Sequence, residues 1–215
     1  MMNGFISEKI YSAYLQALLA GERAQCVELV NGLLEREISL YELYVQLFQR
    51  AMYQVGELWE FNKISVAVEH LATAITEGLL TLVYPLIFAS EHNGKKAVIS
   101  CVASEYHQLG GKMAADFFEL NGWDSYFLGA NTPAEEMLKL LQDKKPDLLG
   151  LSLSIYFNMD NLHRVLEQVR GSFPELPVLV GGQAFRWGGR DIAEKYPAVT
   201  YLPTLIDLES FIQKG

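Results

Sequence analysis

The residues best equipped for chemistry lie in one short, glycine-ended segment, Glu105-Tyr106-His107-Gln108-Leu109-Gly110. An imidazole can ligate a metal or move a proton. A carboxylate two residues before it can bind one ring nitrogen and fix the tautomer, leaving the other nitrogen for a metal. Two further positions fall at the ends of apolar runs: Ser152 follows Leu148 to Leu151, and Gly181-Gly182 follows Val178 to Val180. Between Gly110 and Ser152 lie 41 residues, and between Ser152 and Gly181 lie 28. A lone loop histidine is more often a surface or hydrogen-bonding residue, and a glycine pair after a strand is common, so each signal gains weight only from the others.

These positions need elements to carry them. The apolar run 97–103 reads as a strand ending just before the His107 segment, and 110–121 reads as the following helix. A loop leaving the carboxyl end of a parallel strand is where open α/β sheets place ligands. Further strands are expected at 125–128, 148–152, 178–180 and 199–201, and further helices at 133–144, 158–172, 189–195 and 206–213. This alternation predicts a doubly wound parallel sheet, Rossmann-like or flavodoxin-like, over residues 93–215. Asn131-Thr132-Pro133 reads as a strand-to-helix turn capped by Asn or Thr. Residues 1–92 read as a four-helix bundle, with helices over 7–19, 23–37, 40–59 and 66–88. Ser39 and Glu42 form a capping box for the third helix. Pro85 implies a kink or early stop in the fourth. The polar turn 91–96 marks the domain boundary.

Composition narrows the partners. The chain of 215 residues has a net charge of −9 and no lysine or arginine block, so a direct nucleic-acid partner is not expected. No apolar run is long enough to span a membrane, and Met1 to Glu8 shows no export signal. Two cysteines, Cys26 and Cys101, fit a reducing cytoplasm better than a disulfide scaffold.

The order and spacing of Glu105-x-His107-x-x-Gly110, Ser152 and Gly181-Gly182 resemble the cobalamin (B12)-binding domain family, whose signature is Asp-x-His-x-x-Gly, then Ser-x-Leu, then Gly-Gly. Glu105 stands where the family has Asp, and Leu153-Ser154 replaces x-Leu, so the middle motif rests on Ser152. The resemblance implies that His107 is the lower ligand of cobalt and that Glu105 binds its other nitrogen. Gly110 and Gly111 would let the backbone approach the corrin, and Ser152, Gly181 and Gly182 would line the slot for the nucleotide tail. Four cobalt positions are filled by corrin nitrogens, so one imidazole suffices.

The helical half resembles the sensory module of the adenosylcobalamin-dependent photoreceptors related to carotenoid-gene repressors. Trp59 precedes Glu69-His70 by ten and eleven residues. In that group such residues surround the 5′-deoxyadenosyl group beneath a bundle that caps the corrin's upper face. The resemblance thus gives Trp59 the adenosyl group to pack on. It gives Glu69 and His70 contact with that group, or with cobalt after photolysis. The more ordinary alternatives are that Trp59 is core and Glu-His a solvated face. The photoreceptors usually carry a helix-turn-helix domain that these residues do not supply, so output through domain movement, self-association or a protein partner is expected. Two other functions stay open: a corrinoid methyl carrier of a methyltransferase system, using methylcobalamin, and a pocket for a different tetrapyrrole. Tyr156, Phe157, Phe185 and Trp187 near the tail slot keep the last one open.

Overall fold

A computed structural model of the chain describes residues 6–214. The start of the expected 1–92 domain, and part of the Met1–Glu8 stretch read as lacking an export signal, lie outside the described residues. The chain forms two compact units, the first ending at Ile87 and the second beginning at Phe88. The division precedes the 91–96 turn because the residues leading into it are already bonded within the second unit. Ser90 Oγ donates to Leu120 O at 3.1 Å, and Asn93 N–H donates to Gly122 O at 2.7 Å.

In the first unit, α1 (Glu8–Ala20) starts at Ser7, whose Oγ accepts from Ile10 N–H, and stops at Gly21 in the left-handed conformation. Next come α2 (Arg23–Leu34) and α3 (Leu40–Glu42), which opens with the expected Ser39–Glu42 capping box: Ser39 Oγ accepts from Glu42 N–H at 3.1 Å and donates to Glu42 Oε2 at 2.9 Å. α3 runs without a break through a π-helical stretch, Leu43–Gln49, into α4 (Arg50–Glu60). Periodicity alone cannot show that widening, because Leu43, Tyr44, Leu47 and Phe48 remain buried on one face. The Tyr44 and Phe48 rings meet edge to face at 5.6 Å, and Tyr14 of α1 lies 6.3 Å from Phe48. α5 (Val66–Leu82), capped by Ser65, buries Ala72, Ile75, Thr76, Leu79 and Leu80. The chain breaks at Val83, and the short α6 (Tyr84–Ile87) contains Pro85, which accounts for the early stop.

The second unit is a five-stranded, wholly parallel sheet of order β2-β1-β3-β4-β5. The strands are β1 (Lys96–Cys101), β2 (Asp124–Phe127), β3 (Leu148–Ser152), β4 (Val178–Gly181) and β5 (Val199–Tyr201). The helices are α7 (Leu109–Leu120), α8 (Ala134–Lys144), α9 (Met159–Ser172), α10 (Ile192–Lys195) and α11 (Leu205–Lys214). β1 and β3 are apolar along nearly their whole length because helices cover both faces. One face packs Val98, Leu149, Leu151 and Val180 against Met137 of α8 and Leu162 of α9. α7 packs on β1 and β2, and α11 on α7. After β2 the chain crosses back over β1 to build β3, so the topological switch point lies between the carboxyl ends of β1 and β3. Among the described residues no helix is long and apolar enough to cross a membrane.

The segment entering β1 carries a pH-sensitive tie. His92 Nδ1 is hydrogen-bonded to Asp124 of β2, and His92 Nε2 lies 3.7 Å from the buried Glu119 of α7. The bond to Asp124 holds the imidazole pKa above its ordinary value. A raised histidine pKa contributes stability that is complete below about pH 6.5 and is lost as pH rises through the folded-state value. The gap in urea midpoint between the protein and His92→Gln is therefore expected to be largest at about pH 5–6 and to close by about pH 9. A gap independent of pH contradicts this assignment.

Candidate functional site

Register places the site. Cys101 pairs with Ser152, and Ser152 with Gly181, so β1, β3 and β4 end side by side and their loops rise from one edge. The β1–α7 loop carries Glu105 and His107, and the β3–α9 loop carries Ser154 and Ile155. Glu105 is 0% exposed. One carboxylate oxygen, Oε1, lies 2.8 Å from His107 Nδ1 and accepts from His107 N–H at 2.9 Å. The other, Oε2, accepts from Ser154 N–H at 2.9 Å and Ile155 N–H at 2.8 Å. Burial pushes this carboxyl up. The bonds from the His107 ring, His107 N–H, Ile155 N–H and Ser154 N–H outweigh it and hold the group below the usual carboxylate range, so it stays ionised. An ionised carboxylate on Nδ1 fixes that nitrogen as the donor and directs Nε2 toward any metal. Glu105 thus joins the β1–α7 loop to the β3–α9 loop.

The glycines divide into two kinds. A Cβ on Gly182, whose φ is +115°, would stand 2.2 Å from Leu153 O, and one on Gly181 would stand 2.9 Å from Leu202 O. On Gly111 it would press Phe127 at 3.1 Å and Ser152 Cβ at 3.2 Å. The fold itself demands Gly181 and Gly182, and it crowds Gly111. Gly110 differs: a Cβ there would meet nothing closer than Ser152 Oγ at 3.7 Å. It lies exposed in the first turn of α7, where no neighbour among the described residues needs a glycine. Ser152 is buried at the end of β3 beside it.

Cys101 is also near, with Sγ 3.8 Å from His107 O, but burial and then Glu105 push its thiol up to about 12, which keeps it protonated and a poor ligand. Among the described residues no group of three or more His, Cys, Asp or Glu side chains could hold a metal. The donor at this edge is thus a single, oriented imidazole. That suits a metal whose four in-plane positions are filled by a macrocycle, with bare backbone at Gly110 for the macrocycle's approach.

Sequence profiles agree with this donor set. One profile described as a B12 binding domain matches residues 95–202, and a second with the same description matches residues 10–84. The chain belongs to the B12-binding domain family. This B12-binding chain is 27% identical over 176 residues, 80% of its length, to the HTH-type transcriptional repressor CarH of Myxococcus xanthus. It is 29% identical over 124 residues, 58% of its length, to the repressor CarA of the same organism. It spans 58% and 43% of those two proteins. In fold it matches the monomethylamine corrinoid protein of Methanosarcina barkeri, with a TM-score of 0.85 at 14% identity over 97% of this chain and 99% of that one.

The structure brings Glu105, His107, Gly110, Ser152, Gly181 and Gly182 to one edge of the sheet. Trp59, Glu69 and His70 belong to the helical unit. Trp59 stands next to last in α4 and Glu69-His70 in the first turns of α5, so the tight turn 61–65 keeps them at the same end of that helical pair. Trp59 is 40% exposed and therefore not a core residue. Glu69 lies 3.5 Å from the His70 ring and accepts from Thr73 Oγ1 at 3.0 Å, while the His70 side chain is 73% exposed. Of the aromatics near the tail slot, Phe185 is buried against Tyr201, whereas Phe157 is 95% exposed and Tyr156 and Trp187 are also exposed.

One expectation is corrected. Neither Asn131 nor Thr132 caps α8, which begins after Pro133 without a side-chain cap. Asn131 Oδ1 instead accepts from Ser104 N–H at 2.8 Å, and Asn131 N–H donates to Glu105 O at 2.8 Å. This link, and the Ser154 and Ile155 amides, escaped sequence reasoning. The asparagine reads as turn chemistry, and a backbone N–H carries no sequence signal.

Two substitutions separate the roles of these residues. Gly110→Ala is expected to raise the stability of the cofactor-free protein by up to about 1 kcal/mol, as for Gly-to-Ala on a helix, while weakening cobalamin binding. Unchanged affinity would leave Gly110 without a role in approach. Glu105→Gln keeps the size but loses the charge, and is expected to raise the cobalamin Kd by about 10- to 100-fold. Equilibrium binding measures both.

Proposed function

We propose that this cobalamin-binding chain is the sensory part of a light-responsive regulator that uses adenosylcobalamin, with His107 as the lower ligand of cobalt. The observation that carries the lower-ligand assignment is the buried Glu105 carboxylate aimed at His107 Nδ1. Ser152, Gly181 and Gly182 line the slot for the nucleotide tail, and Gly110 leaves room beside the corrin. The cofactor, when bound, supplies a cobalt–carbon bond that visible light can break. The chain's own residues hold the imidazole and keep its tautomer.

The sensory reading draws its support from the 27% identity to the CarH repressor across 80% of the chain and from the exposure of Trp59 and His70. Trp59 offers an apolar wall to the upper ligand. Glu69 would supply a carboxylate to that ligand, and His70 an imidazole able to hold the metal. The signal passes to a second copy of the chain or to a protein partner.

The test is an absorption spectrum of the protein with adenosylcobalamin in the dark and after green illumination, with size-exclusion chromatography of both samples. Retained pigment, a light-induced spectral change and a change in size are expected. Retained pigment with no change in size removes self-association as the output and favours a methyl carrier working with methylcobalamin. Absence of retained pigment contradicts cobalamin as the ligand and points to another tetrapyrrole. Trp59→Ala is expected to bind cobalamin but to lose preference for the adenosyl over the methyl form. Unaltered selectivity in that variant removes Trp59 from the site.

A further inference from the structure

Ser104, between the end of β1 and Glu105, holds a φ of +67°, the left-handed region that a residue with a Cβ rarely adopts. The chain there is gripped by three asparagines. Asn131, in the β2–α8 loop, accepts from Ser104 N–H at 2.8 Å through its side chain and donates its own N–H to Glu105 O. Asn158, just before α9, donates Nδ2–H to Ser104 O at 3.1 Å. Asn161, in the first turn of α9, donates Nδ2–H to Ala103 O at 2.9 Å. Both backbone polar groups of the strained residue, and the carbonyls on either side of it, are thus held by groups from two other segments. None of the three asparagines touches His107 in these bonds. Strain of this kind persists only where the surroundings overdetermine it, and it gathers where a side chain must be aimed.

We propose that Asn131, Asn158 and Asn161 are positioning residues that hold Ser104 in its left-handed conformation and thereby aim Glu105 and His107 at the cobalt. This inference rests on His107 being the lower ligand. It makes a demand on bond polarity that a general packing role does not. Asn131 acts through an oxygen that accepts, so Asp can replace it. Asn158 and Asn161 act through nitrogens that donate, so Asp cannot replace them, since a carboxylate would face a carbonyl oxygen. Because glycine enters the left-handed region without strain, Ser104→Gly reduces the need for the clamp.

The experiment uses the full chain with cobalamin and reads the absorption spectrum for histidine coordination, the Kd, and the far-ultraviolet circular dichroism. Asn131→Ala, Asn158→Asp and Asn161→Asp are expected to lose much of the histidine-coordinated spectrum and to raise Kd by about 10- to 100-fold, the usual range for residues behind a metal ligand. Asn131→Asp is expected to behave as the unmutated protein, and Ser104→Gly added to Asn131→Ala to restore the spectrum. If Asp is tolerated equally at 131, 158 and 161, or if the alanine variant keeps both spectrum and affinity, the clamp is overturned. Should Asn131→Ala fail to fold, the contrast between Asn131→Asp and Asn158→Asp still decides. An unmutated protein that binds cobalamin without histidine coordination overturns the lower-ligand reading itself, a result distinct from failure of the clamp.

Discussion

A carboxylate withdrawn from water must find hydrogen-bond donors for both oxygens or take up a proton. Glu105 finds four: the ring and amide of His107 on one oxygen, and the amides of Ser154 and Ile155 on the other. That group ties the loop after β1 to the loop after β3, across the point where the sheet reverses its strand order. The orientation of His107, the height of its loop and the position of the residues following Ser152 all depend on it. Without that carboxylate the Ser154 and Ile155 amides lose the acceptor that joins the two loops.

The rest of the second unit supplies the frame for that tie. A parallel sheet buried on both faces fixes the carboxyl ends of β1, β3 and β4 in register, so that Cys101, Ser152 and Gly181 begin their loops at one level. Gly181 and Gly182 are dictated by backbone approach to Leu202 and Leu153, and Gly111 is crowded where α7 packs on the sheet. A family signature can therefore contain residues fixed by the fold alongside residues fixed by the ligand. Gly110 alone of these four meets no such crowding among the described residues. In the helical unit, the turn between α4 and α5 brings an exposed tryptophan and an exposed histidine to the same end of two helices.

Much of this was legible in the chain. β3, buried along its whole length, announces itself and matches its expected limits; β5 matches its limits too, although only Val199 in it is buried. Ser39-x-x-Glu42 declared its helix start through a local bond that needs no tertiary context. Other features were hidden for physical reasons. A π-helical stretch preserves the apolar face that periodicity reads, so 43–49 passed as ordinary helix. Asn131 looked like a cap because its side chain commonly bonds its own backbone, yet here it reaches a strained residue of another loop. The link of Glu105 to Ser154 and Ile155 goes to backbone amides, which any residue would supply. The Glu at position 105 is visible in the chain, but the loop its carboxylate reaches depends on the register of β1 against β3.

The central claim is that His107, aimed by Glu105, takes the lower position on cobalt in place of the cofactor's own benzimidazole. The most direct measurement is electron paramagnetic resonance of the cob(II)alamin-loaded protein with and without 15N-labelled histidine. The axial nitrogen splits each cobalt line into three when it is 14N and into two when it is 15N. The account predicts that labelling converts triplets to doublets, and that His107→Gln abolishes the conversion. Triplets that persist in the labelled protein would show that no histidine is bound beneath the cobalt and would contradict it.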